Sequence, residues 1–97
     1  MNIKTEMKKD DSGKWFVYML ECADGSIYTG ITNNIKARIK KHNSGNGAKY
    51  TRGKTPVILR ASKSFNSRSE ASKAEYALKQ KPREEKLRWI IEWGIAL

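Results

Sequence analysis

Arg38 and the only histidine, His42, lie four residues apart in SIYTGITNNIKARIKKH (26–42), a stretch that also holds Tyr28 and Gly30 but no acidic residue. On a helix that spacing puts both side chains on one face. A permanent, forked cation beside a group that titrates near neutrality suits anion binding and proton transfer. The ordinary alternative is a partly covered surface arginine and a histidine with no special role. Glu75 is the second unusual position. The helix expected from Arg68 to Gln80 has its apolar stripe at Ala71, Ala74 and Leu78, and position 75 falls within it. A carboxylate facing the core is costly unless it is paired, hydrogen-bonded or bound to a metal. The other reading sets it at the stripe's edge, paired with a lysine or arginine.

The hairpin ahead of these residues brings in two phenols. WFVYMLEC is a continuous β-prone run, and SIYTGIT follows it after ADG. A two-residue loop at Asp24-Gly25 would pair Ala23 with Ser26 and send Tyr18 and Tyr28 to opposite faces. A three-residue loop, with Gly25 in the left-handed conformation, pairs Cys22 with Ser26 instead. Tyr18 then sits opposite Gly30 and Tyr28 opposite Leu20, with both phenols on one face. Val17, Met19, Ile27 and Ile31 line the other. The three-residue loop is favoured because it yields one coherent apolar face, and it makes Gly25 and Gly30 structural requirements, Gly30 leaving space for Tyr18.

The remaining elements follow from capping and periodicity. NNIKARIKKHNSG reads as a short Asn-capped helix with Ile35 and Ile39 on its buried face and a stop at Asn43-Ser44-Gly45. GNGAKYTRGKTP reads as a glycine-rich basic loop with room for one helical turn, and PVILRASKSF as a third strand. Ser67-x-x-Glu70 opens the helix that carries Glu75. Pro82, with Glu84 and Glu85 in the first turn, starts a last helix carrying Leu87, Ile90 and Ile91. Trp89 and Trp93 on that helix complete the small core, or else form a contact surface. The order β-β-α-β-α-α predicts an α+β domain around a three-stranded, mostly antiparallel sheet flanked by helices. Residues 1–14 read as a flexible tail, and 15–97 as a single domain.

Charge narrows the partner. The net charge is +10, and Gly25 to Ser69 contains no Asp or Glu. That span holds Lys36, Arg38, Lys40, Lys41, Lys49, Arg52, Lys54, Arg60, Lys63 and Arg68, so the whole excess lies in it. Unbalanced charge at this density repels itself unless a polyanion neutralises it. The bland reading is a solvated basic surface. A single cysteine, Cys22, excludes an internal disulfide and a multi-cysteine metal site. No apolar run is long enough to span a bilayer and no secretory leader is apparent, so no membrane partner is expected and the cytoplasm is the expected location.

FVY at 16–18, YTG at 28–30 and Arg38 ten residues after Tyr28 resemble the GIY-YIG nuclease superfamily. Glu75, followed by Leu78-Lys79, fits its acidic motif. The run AKYTRGKTPVIL and the short chain look most like its small stand-alone bacterial branch, the likeness covering roughly residues 15 to 90. The resemblance implies the GIY-YIG fold and an active site of Tyr18, Tyr28, Arg38, His42 and Glu75. It implies hydrolysis of phosphodiester bonds with one Mg²⁺ (or Mn²⁺) held by Glu75 and no small-molecule cofactor. Arg38 would meet the scissile phosphate, Tyr28 or Tyr18 would activate water, and His42 would relay the proton or contact phosphate. Lys36, Lys40, Lys41, Lys49, Arg52 and Lys54 would contact nucleic-acid phosphates, of DNA sooner than RNA, with little sequence preference and a protein partner as one source of specificity. Phe16 stands where the family has glycine and Thr29 where it has isoleucine. Ile31 stands where some relatives have a lysine, and no asparagine follows the acidic helix as in several nucleases. The competing reading is a nucleic-acid-binding module that cleaves weakly or not at all.

Overall fold

The computed structural model describes residues 13–94; of the tail expected at 1–14, all but Gly13 and Lys14 lies outside the described residues. The elements are β1 (Trp15–Glu21), β2 (Ile27–Thr32), α1 (Ile35–Asn43), a single 3-10 turn (Lys49–Thr51), β3 (Ile58–Phe65), α2 (Arg68–Lys79) and α3 (Arg83–Trp93). The three strands form an antiparallel sheet in the order β2-β1-β3, so the chain has the α+β architecture and element order its sequence predicts.

The hairpin adopts the three-residue loop. Cys22 N–H donates to Ser26 O (2.8 Å), Gly25 N–H donates to Cys22 O (2.9 Å), and Gly25 has φ +86°. Asp24 holds the loop by accepting from the Ser26 hydroxyl (2.6 Å) and amide (3.0 Å), and these bonds depress its carboxyl pKa. Tyr18 therefore pairs with Gly30, and Leu20 with Tyr28. The loop tip is tied down from two sides. Ala23 N–H donates to Lys54 O (2.8 Å), and Arg83 Nη1 donates to Gly25 O (3.2 Å).

β1 is the central strand, and both its faces are covered, which is why Val17, Tyr18, Met19 and Leu20 are buried in succession. One face packs Val17, Met19 and Ala61 against Ala71 and Leu78 of α2, with Ile27, Ile31, Trp89, Ile90 and Trp93 around them. The other packs Tyr18, Leu20, Cys22 and Val57 with Tyr28, Leu59 and Ile39 of α1. Trp89 and Trp93 thus pack against the core, as the first of the two sequence readings has it, while Leu87 and Ile91 are exposed: the partly buried stripe of α3 is Trp89, Ile90 and Trp93. Among the described residues no helix is long and apolar enough to cross a membrane.

Two polar devices place the helices. Asn34 caps α1 by accepting from Ala37 N–H (3.1 Å), and Asn43 at its end grips both backbone groups of Val57, accepting from its N–H at 2.7 Å and donating to its carbonyl at 3.4 Å. Ser67 caps α2 by accepting from Glu70 N–H (3.1 Å), while the Glu70 carboxylate accepts from Asn66 N–H (3.1 Å). Leu78 anchors α2 to the sheet and is 1% exposed. Leu78→Ala should therefore cost about 2–5 kcal/mol of stability, read as a lower urea midpoint at unchanged slope.

Candidate active site

The hairpin register puts both phenols on the α1 face of the sheet, where Tyr18 and Tyr28 lie tilted with ring centroids 6.2 Å apart. Gly30 is what allows this: a methyl there would meet Tyr18 Oη at 2.6 Å and Cζ at 2.8 Å. His42, from the last turn of α1, sits edge-on to Tyr28 with centroids 5.3 Å apart and is completely buried. Gly47 closes over it so tightly that a methyl at 47 would overlap the imidazole and the His42 Cα. Burial is the correction to the expectation that His42 reaches phosphate, since no face of the ring is open to a ligand.

A buried chain of hydrogen bonds defines what His42 does. Its Nε2 lies 3.0 Å from the Tyr18 hydroxyl, and its Nδ1 lies 2.8 Å from Thr51 Oγ1, which donates to Ala48 O at 2.9 Å. Burial lowers the His42 pKa, and the Arg38 charge lowers it further, so the ring is neutral and carries one proton. That proton belongs on Nδ1. Were it on Nε2, Tyr18 oxygen would face two donors, His42 and Arg38 Nε (3.4 Å), and its own proton would find no acceptor among the described residues. An unpaired buried donor costs about 1–3 kcal/mol, which decides the tautomer. The chain runs from Arg38 to Tyr18 oxygen, from Tyr18 O–H to Nε2, from Nδ1–H to Thr51, and from Thr51 O–H to Ala48.

Tyr18 is thereby held as a neutral phenol. It is 1% exposed, and burial pushes its pKa up to about 12, with Tyr28 and Glu75 adding to the rise and Arg38 opposing it. The Arg38 pKa is raised in turn, first by its hydrogen bond to Tyr18, so the guanidinium stays charged. Tyr28 is only half-buried and lines an open cleft, so of the two phenols it is the one that meets solvent.

Glu75 reaches the site from the other layer. It sits on α2, yet its ion pair with Lys79 (3.0 Å) brings an ammonium 5.8 Å from the Tyr28 ring centroid. The connection passes over the outer edge of β2, the edge strand: Tyr28 points to the α1 side and Thr29 to the α2 side, and both line the cleft together with Lys79. The expected alternative, a stripe-edge carboxylate paired with lysine, describes the Glu75–Lys79 contact, and it coexists with a charge near enough to Tyr18 to help raise that phenol's pKa. Among the described residues no three His, Cys, Asp or Glu side chains gather into a metal cage.

The six expected phosphate contacts divide by location. Lys36 and Lys40 are exposed, but each lies roughly 160° around α1 from Arg38, on the outer face. Lys41 is exposed and only roughly 60° from Arg38, flanking the site. Lys49 and Arg52 are exposed on the loop after α1. Lys54 is already engaged, 3.7 Å from Asp24 and 3.7 Å over the Tyr50 ring. Sequence reasoning missed Tyr50, Thr51, Thr29 and Lys86. Tyr50 stacks on Tyr28 (5.8 Å, 24°) from a loop without periodicity, and Lys86 arrives on a helix with no motif to mark it. The one available signal was Lys79, four residues after Glu75.

Residues 14–88 match the family model of the GIY-YIG catalytic domain. The chain belongs to the GIY-YIG family, and the match supports a nuclease, hence hydrolase, superfamily. Within it the similarity is to UPF0213 proteins. One from Nitratidesulfovibrio vulgaris is 51% identical over 80 residues, covering 82% of this chain and 73% of the relative. Another, from Halobacterium salinarum, is 54% identical over 70 residues, covering 72% and 91%. The solution structure of a UPF0213 protein from Bacillus halodurans aligns with TM-score 0.56 and 48% identity, over 84% of this chain and 86% of that one.

The raised Tyr18 pKa has a pH signature. Its folded value lies above the ordinary value of 10.0, so the native state keeps a proton that the unfolded chain loses, and this contribution to stability is present below pH 10 and lost as pH climbs toward 12. In an ultraviolet titration of tyrosinate, the difference between wild type and Tyr18→Phe should show one phenol with a midpoint near 12. A midpoint near 10 would mean that Tyr18 is not sequestered.

Proposed function

We propose that this chain is a divalent-metal-dependent endonuclease that hydrolyses phosphodiester bonds of DNA with little sequence preference. The observation that carries this reading is that Tyr28, half-buried, lines a cleft at the edge of β2 together with Lys79, the ion-pair partner of Glu75, while Arg38 is fixed by its hydrogen bond to Tyr18, the neighbouring phenol. A module that only bound phosphate would have no use for the carboxylate.

Glu75 is the residue that would hold the metal. A single carboxylate suits Mg²⁺ or Mn²⁺ rather than zinc, because hard, strongly hydrated cations keep several waters and complete their shell with substrate phosphate. Such an ion, when bound, supplies positive charge to the leaving oxygen. Its competitor is Lys79. With Lys79 about half exposed and Glu75 at 22% side-chain exposure, a helical pair at this spacing is worth on the order of 1 kcal/mol or less, so its release is a small obstacle and the pair does not favour the non-cleaving reading.

The chain's own residues do the rest. Arg38, pinned through Nε to Tyr18, directs its remaining donors at non-bridging phosphate oxygens. Tyr28, having released its own proton to solvent, takes the proton of the attacking water as the phenolate, a role closed to Tyr18, whose lone pair meets Arg38 and whose proton points at His42. His42 and Thr51 are fully buried; they hold Tyr18, and through it Arg38, in place. Lys41, Lys49 and Arg52 add phosphate contacts that position the strand without reading bases. Choice of site then falls to substrate shape or to a protein partner, as in DNA repair or processing in the cytoplasm.

With Mg²⁺ or Mn²⁺, the wild-type chain should nick DNA. Arg38→Ala and Glu75→Gln should each lower the rate by roughly 10²–10³-fold at unchanged circular dichroism, and chelation should abolish it. Undiminished cleavage by Glu75→Gln would sink the assignment. Salt-sensitive binding without cleavage by wild type would replace it with the binding module.

A further inference from the structure

The cleft beside the site holds more than a phosphate would need. It has a volume of about 360 Å³ and is lined by Ile27, Tyr28, Thr29, Tyr50, Lys79 and Lys86. We infer that this cleft is a seat for one nucleotide next to the scissile phosphate, turned out of its stack, with its base and sugar against Ile27, Tyr28 and Tyr50 and its phosphate between Lys79 and Lys86. The inference rests on the nuclease reading and adds a subsite to it.

The volume falls in the range of pockets that enclose small ligands, and the lining has the mixture such ligands require. The apolar part is an aromatic wall. Tyr50 is 45% exposed yet fixed in place, lying within 24° of parallel to Tyr28 and carrying the Lys54 ammonium 3.7 Å over its ring. A base that stacks on Tyr50 displaces the Lys54 ammonium from the ring, while the contact with Tyr28 keeps the phenol ordered, so little side-chain entropy remains to be lost on binding.

The polar part is cationic and comes from two separate helices. Lys79 is shared with Glu75, which links the seat directly to the carboxylate of the site. Lys86 extends from α3, and neither lysine belongs to the acid-free span from Gly25 to Ser69. Thr29 also lines the cleft. Bases inside a duplex are stacked on their neighbours and cannot enter such a cleft, so the seat takes a nucleotide that is unpaired or flipped.

The test separates the seat from the chemistry by using ligands with no bond to cleave. Deoxyadenosine 5′-monophosphate and deoxyribose 5-phosphate are titrated into the full chain without metal, followed by nuclear magnetic resonance of the Tyr28 and Tyr50 rings. The nucleotide should bind roughly 5- to 150-fold more tightly than the sugar phosphate, the range expected of base–aromatic stacking. Tyr50→Ala should erase that ratio and leave sugar-phosphate affinity intact, whereas Lys86→Ala should weaken both ligands together. Equal affinity for the two ligands, or a ratio that survives Tyr50→Ala, would overturn the seat even in a chain that cleaves DNA. A preserved ratio in a wild-type chain that never cleaves would support the seat and refute the nuclease.

Discussion

The hydrogen bond between Tyr18 and His42 is the constraint on which the rest of this small domain depends. It joins the central strand to α1 in the interior, at 3.0 Å and with neither ring open to solvent. Two buried polar groups are tolerable there only because each satisfies the other and the chain ends on a backbone carbonyl through Thr51. Removing either partner would strand the other at about 1–3 kcal/mol, a sizeable fraction of the stability of a 97-residue domain. The same bond decides direction: with His42 protonated on Nδ1, the Tyr18 proton faces inward and its lone pair faces Arg38. One arrangement thus holds the fold together and aims the guanidinium.

The site is assembled around the free edge of β2 because one face of a three-stranded sheet cannot supply all its groups. The phenols, Arg38 and His42 belong to the α1 layer, and Glu75, Lys79 and Lys86 to the opposite layer. An edge strand lets residues of both faces meet at its outer side, which Tyr28 and Thr29, adjacent in sequence and opposite in facing, do at the cleft. Electrostatics follow the same plan. Glu75 is paired and Arg38 is shared with a phenol, so the cleft keeps a positive character suited to a polyanion without leaving a buried charge unpaired.

Much of this was legible in the sequence because it depends on period and turn geometry. Gly25 at the third loop position sets the register, and the register alone puts Tyr18 and Tyr28 on one face with Gly30 beside them. Spacing of four joins Arg38 to His42, and the stripe Ala71/Ala74/Leu78 turns Glu75 toward the sheet. What escaped depends on the path of residues 44–57, which has no periodicity to read. That loop brings Gly47 onto the imidazole, Thr51 to Nδ1 and Tyr50 onto Tyr28, converting a histidine expected near phosphate into a buried one. The choice of Trp89, Ile90 and Trp93 over Leu87 and Ile91 as the partly buried stripe of α3 likewise depends on docking angle, because apolar residues surround that helix on several sides.

The most direct test of this account is the protonation of the His42 ring, read from its nitrogen-15 resonances at neutral pH in the one-histidine chain. The buried chain requires a proton on Nδ1, hydrogen-bonded to Thr51, and a bare Nε2 accepting from Tyr18, unchanged as the pH falls through the ordinary histidine range near 6.5. A proton on Nε2, or a ring that becomes an imidazolium near pH 6.5, would contradict the inward-facing phenol and with it the assignment of Tyr28 as the base.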